Sequence, residues 1–438
     1  MRDQGRGLIL FCAIIASLLL AVSCGEKRST QSGVAPGAAL PVARTLPPLP
    51  TRPLSPAMQA LRARAMRNAS DLRELQFLGD VGMAELSPWE YGARASEMAQ
   101  ILGGDELRAL GKLAAAGDML PEGTDPTTLA GSFMALSAGA VYSPLDKQVL
   151  VVGKLADDPL VAHEFTHALQ DQHFDLTKML IRQPYDFDRT EAAFAVVEGD
   201  AMNVQRRLEQ GDAYSRLSLD GITRQETERF SDYRKDIGQL FAPLLIETFI
   251  FRYRDGARLI ETVRRSGGER GVDQLFNRPP ITSEQVLHPE KYKEGEAPIA
   301  VSLDENAFAS AGWKLVTSTP LGEIGVRGVL MAAISDKDAH RAASGWGGDR
   351  AWLFERAGSV PIFVWKTVWD TGADAQEFFN GYLALGRRQG GSSYTGGTQQ
   401  VRWTHNGRTT VVERSGERVT IIRAADADVA PALGLAQR

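Results

Sequence analysis

The amino-acid sequence predicts a mixed α+β protein: a mainly helical body with a short β-sheet, followed by a smaller α+β C-terminal domain. Three observations carry this expectation. Apolar residues recur at three- and four-residue spacing from Ala57 onward, as on buried helix faces. Short β-type runs interrupt that pattern between residues 140 and 155. Beyond residue 350, apolar runs are separated by Asn406-Gly407 and Ser415-Gly416, pairs that favour hairpin turns.

The chain of 438 residues is 43% hydrophobic and 24% charged, enough apolar material for two or three cores. Its formal net charge of −5 leaves no electrostatic footprint for nucleic acid.

At the start, Arg2 and Arg6 precede an apolar run from Leu8 to Val22. That order of charge and apolar run, too short for a comfortable membrane span, marks residues 1–23 as a secretory signal peptide. Ala21-Val22-Ser23 suits ordinary signal peptidase. Leu20-Ala21-Val22-Ser23-Cys24 resembles a bacterial lipobox, apart from Ala21 where Leu is usual. The lipoprotein reading is preferred because residues 24–56, broken by Pro36, Pro41, Pro47, Pro48, Pro50, Pro53 and Pro56, read as a tether. A lipid on Cys24 would then hold the protein at the cell envelope; otherwise it is secreted or periplasmic.

Helical patterns follow near 57–78, 93–103 and 105–116. Ala140-Val141-Tyr142-Ser143 and Val149-Leu150-Val151-Val152 read as strands with a turn at Pro144-Leu145-Asp146. Asp158 is a candidate N-cap with Pro159 at the first helical position. A second helix is expected over about 190–210, and a long apolar-periodic region over 225–265 ends at Gly267-Gly268. The expected domains are 57–299 and 300–438. The second holds helices at 323–334 and 373–387 and strands at 351–356, 361–369, 400–404, 408–413 and 418–424.

The chemistry concentrates in His163-Glu164-Phe165-Thr166-His167. Residues four apart share a helix face, so His163 and His167 can offer two imidazoles to one ion. Glu164 is rotated about 100° from His163, beside the ion rather than on it. There it can take a proton from water and return one to a leaving amine. Only Cys12 and Cys24 occur, so no thiolate zinc site is available and the remaining ligand must be a carboxylate. Glu198 and Glu191, seven apart on the next helix, are the candidates. Glu198 is preferred because Gly199 and Ala201 would let its helix approach the first closely. Glu191 stays open, with an ordinary place in the helix's first turn as its alternative.

HEFTHALQDQ (163–172) followed by VEGDA (197–201) resembles a gluzincin, a metallopeptidase class with two His and one Glu as zinc ligands. More narrowly, the chain is similar to uncharacterised bacterial exported or lipoprotein zincin-like proteins. Those share HE-x-THALQDQ and VEGDA with a TSEQVLHPEKY-type segment and a GWGGDR segment, present here at 282–292 and 345–350. The resemblance covers roughly 140–370. It implies a zincin-like domain, a zinc ion, a peptide or protein substrate, and an edge strand above the motif helix. Gln148–Gly153 resembles that strand.

Asp171 and Asp200 are candidates to orient the ligating imidazoles, with plain surface acids as the alternative. His173 reads as a helix-end residue, and His340 and His405 receive no role. His288, set before Pro289, and Tyr292 are candidate donors to a developing oxyanion. The alternative makes 282–292 a rigid clasp between the domains. The glycines of 345–350 suggest a tight structural turn, with Trp346 and Arg350 as less favoured cleft residues. Three activities fit these parts: an exported zinc peptidase, a zincin-like lipoprotein that binds without catalysing, and a cell-wall amidase.

Overall fold

A computed structural model describes residues 49, 52–126, 129, 139–152, 157–180, 185–238, 241–390 and 394–437. The expected signal peptide (1–23), Cys24 and most of the expected tether lie outside the described residues. Among the described residues no helix is long and apolar enough to cross a membrane.

The architecture is mixed α+β and mainly helical. Helix α1 (Pro56–Arg73) opens on Ser55, whose side chain accepts from Met58 N–H. It stops short of residue 78 because Glu74 takes a left-handed conformation. A strand not anticipated from the sequence follows, β1 (Gly82–Leu86). Ser87 and Glu90 form a capping box that starts α2 (Pro88–Ala116). The two helices expected at 93–103 and 105–116 are thus one, running through Gly103-Gly104.

Strands β2 (Ala140–Ser143) and β3 (Gln148–Val152) complete a three-stranded sheet in the order β1-β3-β2. β3 pairs parallel with β1 and antiparallel with β2. This corrects the expectation for Gln148–Gly153: β3 is central, and the edges are β1 and β2. All four β2 residues are buried, so local composition could not distinguish edge from centre.

Helix α3 (Asp158–Phe174) carries the HExxH segment. Its N-cap is Asp157, which accepts from Leu160 N–H, so the cap lies one residue before the expected Asp158. Helix α4 (Phe187–Gln210) follows. The apolar-periodic region of 225–265 divides into α5 (Leu219–Ile237) and α6 (Pro243–Asn277), and α6 breaks at Gly268, where φ is 62°. α3 packs against α1 and α4, and α4 lies along α6.

The short helix α7 (Ser283–Leu287) leads into the C-terminal portion. There β4 (Lys314–Thr319), α8 (Gly322–Leu330), α9 (Asp336–Ala343), β5 (Trp346–Glu355), β6 (Ile362–Trp369), α10 (Gly372–Gly390), β7 (Thr395–Gly396), β8 (Gln400–His405), β9 (Arg408–Ser415), β10 (Arg418–Ala424) and α11 (Asp426–Ala436) follow in turn. The strands form one antiparallel sheet ordered β4-β5-β6-β10-β9-β8-β7. Along β6, Phe363 and Trp365 join the core beneath α10, while Ile362 and Val364 join the core beneath α11. Period-two alternation therefore covers both faces. Leu244 of α6 belongs to the first of these cores, so apolar packing crosses residue 300.

Candidate metal centre

α3 is buried on almost every side from Leu160 to Asp171. β2 and β3 lie against it, and α4 runs along another flank. These contacts bring His163, His167 and Glu198 together, with one potential ligand atom from each within 4.8 Å of the others. Both imidazole Nε2 atoms lie 3.4 Å from the same oxygen, Glu198 Oε2. His167 Nε2 and Glu198 Oε2 are buried without any hydrogen-bond partner. A tetrahedron with bonds of about 2.0–2.1 Å, the zinc–nitrogen length, has an edge of about 3.3–3.4 Å. Spacing, donor types and orphaned atoms therefore fit a zinc ion.

Charge fits as well. Burial works against a charged Glu198, yet the two imidazoles override it and its carboxyl falls to about 2. Burial lowers the His163 pKa, keeping it neutral as a ligand must be. Burial also opposes an imidazolium at His167, but the Glu198 carboxylate prevails and holds it at about 9. A proton held there by a carboxylate occupies the place a metal cation would take.

Glu164 is fully buried. Its Oε2 accepts the Tyr142 N–H of edge strand β2 at 2.7 Å, and its Oε1 has no partner. Burial pushes its carboxyl up to about 8. A nearby cation would bring it down again.

A chain of hydrogen bonds fixes His167. Its Nδ1 lies 2.9 Å from Gln170 Oε1. Gln170 Nε2 donates to Val197 O at 3.0 Å and to Asp200 Oδ2 at 2.9 Å. Asp200 is held by Arg73 of α1, itself 1% exposed and bonded to Glu269 and Asp273. Asp200 thus reaches His167 through Gln170 rather than directly. Asp171 does not orient a ligand: it accepts from the Tyr142 hydroxyl at 2.7 Å and from Lys147 at 2.6 Å. His173 binds the backbone oxygen of Gln76.

Glu191 lies outside this cluster. Arg252 holds both its oxygens, at 2.7 and 2.6 Å, in a buried pair. Gly199 also differs from expectation. It opens α4 toward α6 rather than α3: a Cβ on Gly199 would lie 2.2 Å from the Gly256 carbonyl carbon, and one on Gly256 would lie 2.2 Å from Ala195 O.

That crossing delivers a residue absent from the sequence reading. Tyr253, one turn before Gly256, stacks on His163 with ring centroids 6.3 Å apart. Its hydroxyl is buried with no well-formed hydrogen bond, and burial, the Glu198 and Glu164 charges and a side-chain contact with Glu198 raise its pKa. The available signal was a helical glycine beside each partner: Gly199 after Glu198 and Gly256 three past Tyr253.

His288 and Tyr292 were the expected oxyanion donors, and both are committed elsewhere. His288 Nε2 lies 3.0 Å from Glu323 Oε2, and the Tyr292 hydroxyl donates to Arg278 O at 2.7 Å. The segment around them behaves as a clasp. Lys291 Nζ reaches Glu284, Glu296 and Asp370 at 2.7, 2.8 and 3.1 Å, tying the helical body to the C-terminal sheet. Its ammonium fills the one other described cluster with metal-like spacing. The 345–350 segment is structural too. Gly345 has φ 77°, and Asp349 accepts from Leu321 N–H, Gly322 N–H and the Trp346 and Trp365 indoles.

A domain of unknown function (DUF8575) matches residues 262–433. That is less than half of the chain, and it excludes α3 and α4. No curated protein and no solved structure matches.

Proposed function

We propose that the protein is an exported zinc-dependent hydrolase that cleaves peptide bonds, with His163, His167 and Glu198 as ligands. The observation that carries this reading is the pair of 3.4 Å separations onto one otherwise unbonded Glu198 oxygen. Zinc held there would acidify water and polarise a carbonyl oxygen. Glu164 accepts a proton at its free Oε1 and returns it to the leaving nitrogen, while Tyr142 N–H steadies its other oxygen. The unpartnered Tyr253 hydroxyl donates to the oxyanion that develops on the substrate carbonyl. An extended peptide added to edge strand β2 would lie beside these groups.

The burial of the triad, with Glu198 2% exposed, favours a second reading in which a zincin-like lipoprotein binds metal without turnover. One experiment separates them. The purified chain is assayed for zinc, then incubated with a peptide library and with muropeptides, with Glu164→Gln as control. Peptide cleavage lost in Glu164→Gln, with zinc retained, is the expected result. Zinc without cleavage supports the binding protein, and cleavage of muropeptides alone supports an amidase. Absence of stoichiometric metal after gentle purification removes the central claim. Anchoring through Cys24 is tested by mass spectrometry of the mature N-terminus, where a lipid should be present and Cys24→Ala should lose it.

A further inference from the structure

A cleft of about 830 Å³ lies between α5, α6, α8 and α9. Phe230 lines it and also packs on Tyr253, with centroids 5.9 Å apart, so the cleft neighbours the metal centre without sharing its ligands.

Each acid on its walls already holds a cation. Asp255 accepts from Arg254 at 2.6 Å, Glu323 pairs with His288 at 3.0 Å, and Asp336 pairs with Arg234. Beneath them the buried Glu247 accepts from Arg234 at 2.5 Å and Arg254 at 2.9 Å. Lys235 at the rim lies 3.2 Å from Asp232.

Arg327 stands apart. It is 5% exposed, and its Nε is buried with no hydrogen-bond partner. Its Nη2 meets His340 Nε2 at 2.5 Å, and its ion pair with Glu247, at 3.5 Å, is to an oxygen already taken by Arg254. A guanidinium stays charged even when buried, and a buried N–H left without an acceptor is costly. Lys337, exposed at the same cleft, has no ion pair among the described residues. The cleft thus holds one cation beyond its paired acids, Lys337, and beside it an unbonded N–H on Arg327. A planar N–H fork and a point charge suit the oxygens of a phosphate. The space exceeds a bare ion and leaves room for an organic group.

We propose that this cleft binds a phosphate dianion, free or as a small phosphomonoester, seated on Arg327 and Lys337 and separate from the metal triad. The test is calorimetric titration of the full chain with inorganic phosphate and with phenyl phosphate, at constant ionic strength. Saturable binding is expected, weakened tenfold or more by Arg327→Gln and severalfold by Lys337→Gln. Binding of phosphate alone identifies the free ion as ligand; binding of both, with phenyl phosphate tighter, identifies the ester. Binding retained in Glu198→Gln assigns the ligand to the cleft, and binding lost there places it on the triad and overturns the proposal. No saturable heat up to millimolar ligand also overturns it. If Arg327→Gln fails to fold, an unchanged affinity in Lys337→Gln is sufficient to reject the site.

Discussion

Gln170 Oε1 lies 2.9 Å from His167 Nδ1, so the carboxamide fixes which ring nitrogen faces Glu198. An amide oxygen can only accept, so Nδ1 carries a proton and Nε2 is the nitrogen turned toward Glu198. Replacing Gln170 with Ala should lower zinc affinity about 10- to 100-fold, measured by competition with a chromophoric chelator. Unchanged affinity would show that the contact does not position the ligand.

The two acidic residues of α4 should separate cleanly. Glu198→Ala should abolish stoichiometric zinc binding. Glu191→Ala should leave the ligand set intact but strand Arg252 as a buried charge, costing about 3–5 kcal/mol in urea unfolding. Zinc lost on Glu191→Ala in protein that remains folded would contradict this division.

Tyr253→Phe removes a buried hydroxyl that has no partner. Stability should hold or rise, because no hydrogen bond is lost. Peptide hydrolysis should fall by about 10²-fold or more, mainly in kcat, if the hydroxyl meets the oxyanion. A melting temperature that drops together with an unchanged kcat would assign Tyr253 to packing instead.

Gly199→Ala should destabilise the protein, although Ala ordinarily favours helices over Gly by about 1 kcal/mol. The added methyl would meet the Gly256 backbone at 2.2 Å, where no flexible side chain can yield. Overpacking of this kind costs about 1–3 kcal/mol or more. Thermal unfolding provides the check, and a raised melting temperature would refute the close contact.

The His288–Glu323 pair predicts a pH dependence. Its hydrogen bond to Glu323 raises the His288 pKa above the ordinary histidine value, against the opposing effect of burial. The charged pair therefore stabilises the fold fully below the unfolded histidine pKa, and that contribution is lost as pH rises through the folded one. Urea midpoints of the native chain should fall relative to His288→Asn between acidic and mildly alkaline pH. Parallel curves would exclude the linkage.

Much of this was legible from residues alone. Pro159 and the apolar spacing around His163 are local signals, and they produce α3 with both imidazoles on one face, its cap at Asp157 one residue before the expected Asp158. The hairpin at Asn406-Gly407 and the alternation of β6 were readable for the same reason, since turn and period are set by neighbours in sequence. The oxyanion candidates were not. His288 and Tyr292 looked suitable because of their side-chain chemistry, but their partners Glu323 and Arg278 O are selected by packing.

The sequence by itself determined the composition of the candidate centre: histidines four apart, an adjacent glutamate, and a carboxylate ligand in place of cysteine. Tertiary structure placed Glu198 beside the two histidines and Glu191 on Arg252, made β2 rather than β3 the edge strand, and brought Tyr253 in from α6. Helical periodicity states which residues share a face. Which helix that face meets depends on long-range packing, here on the backbone contact of Gly199 with Gly256.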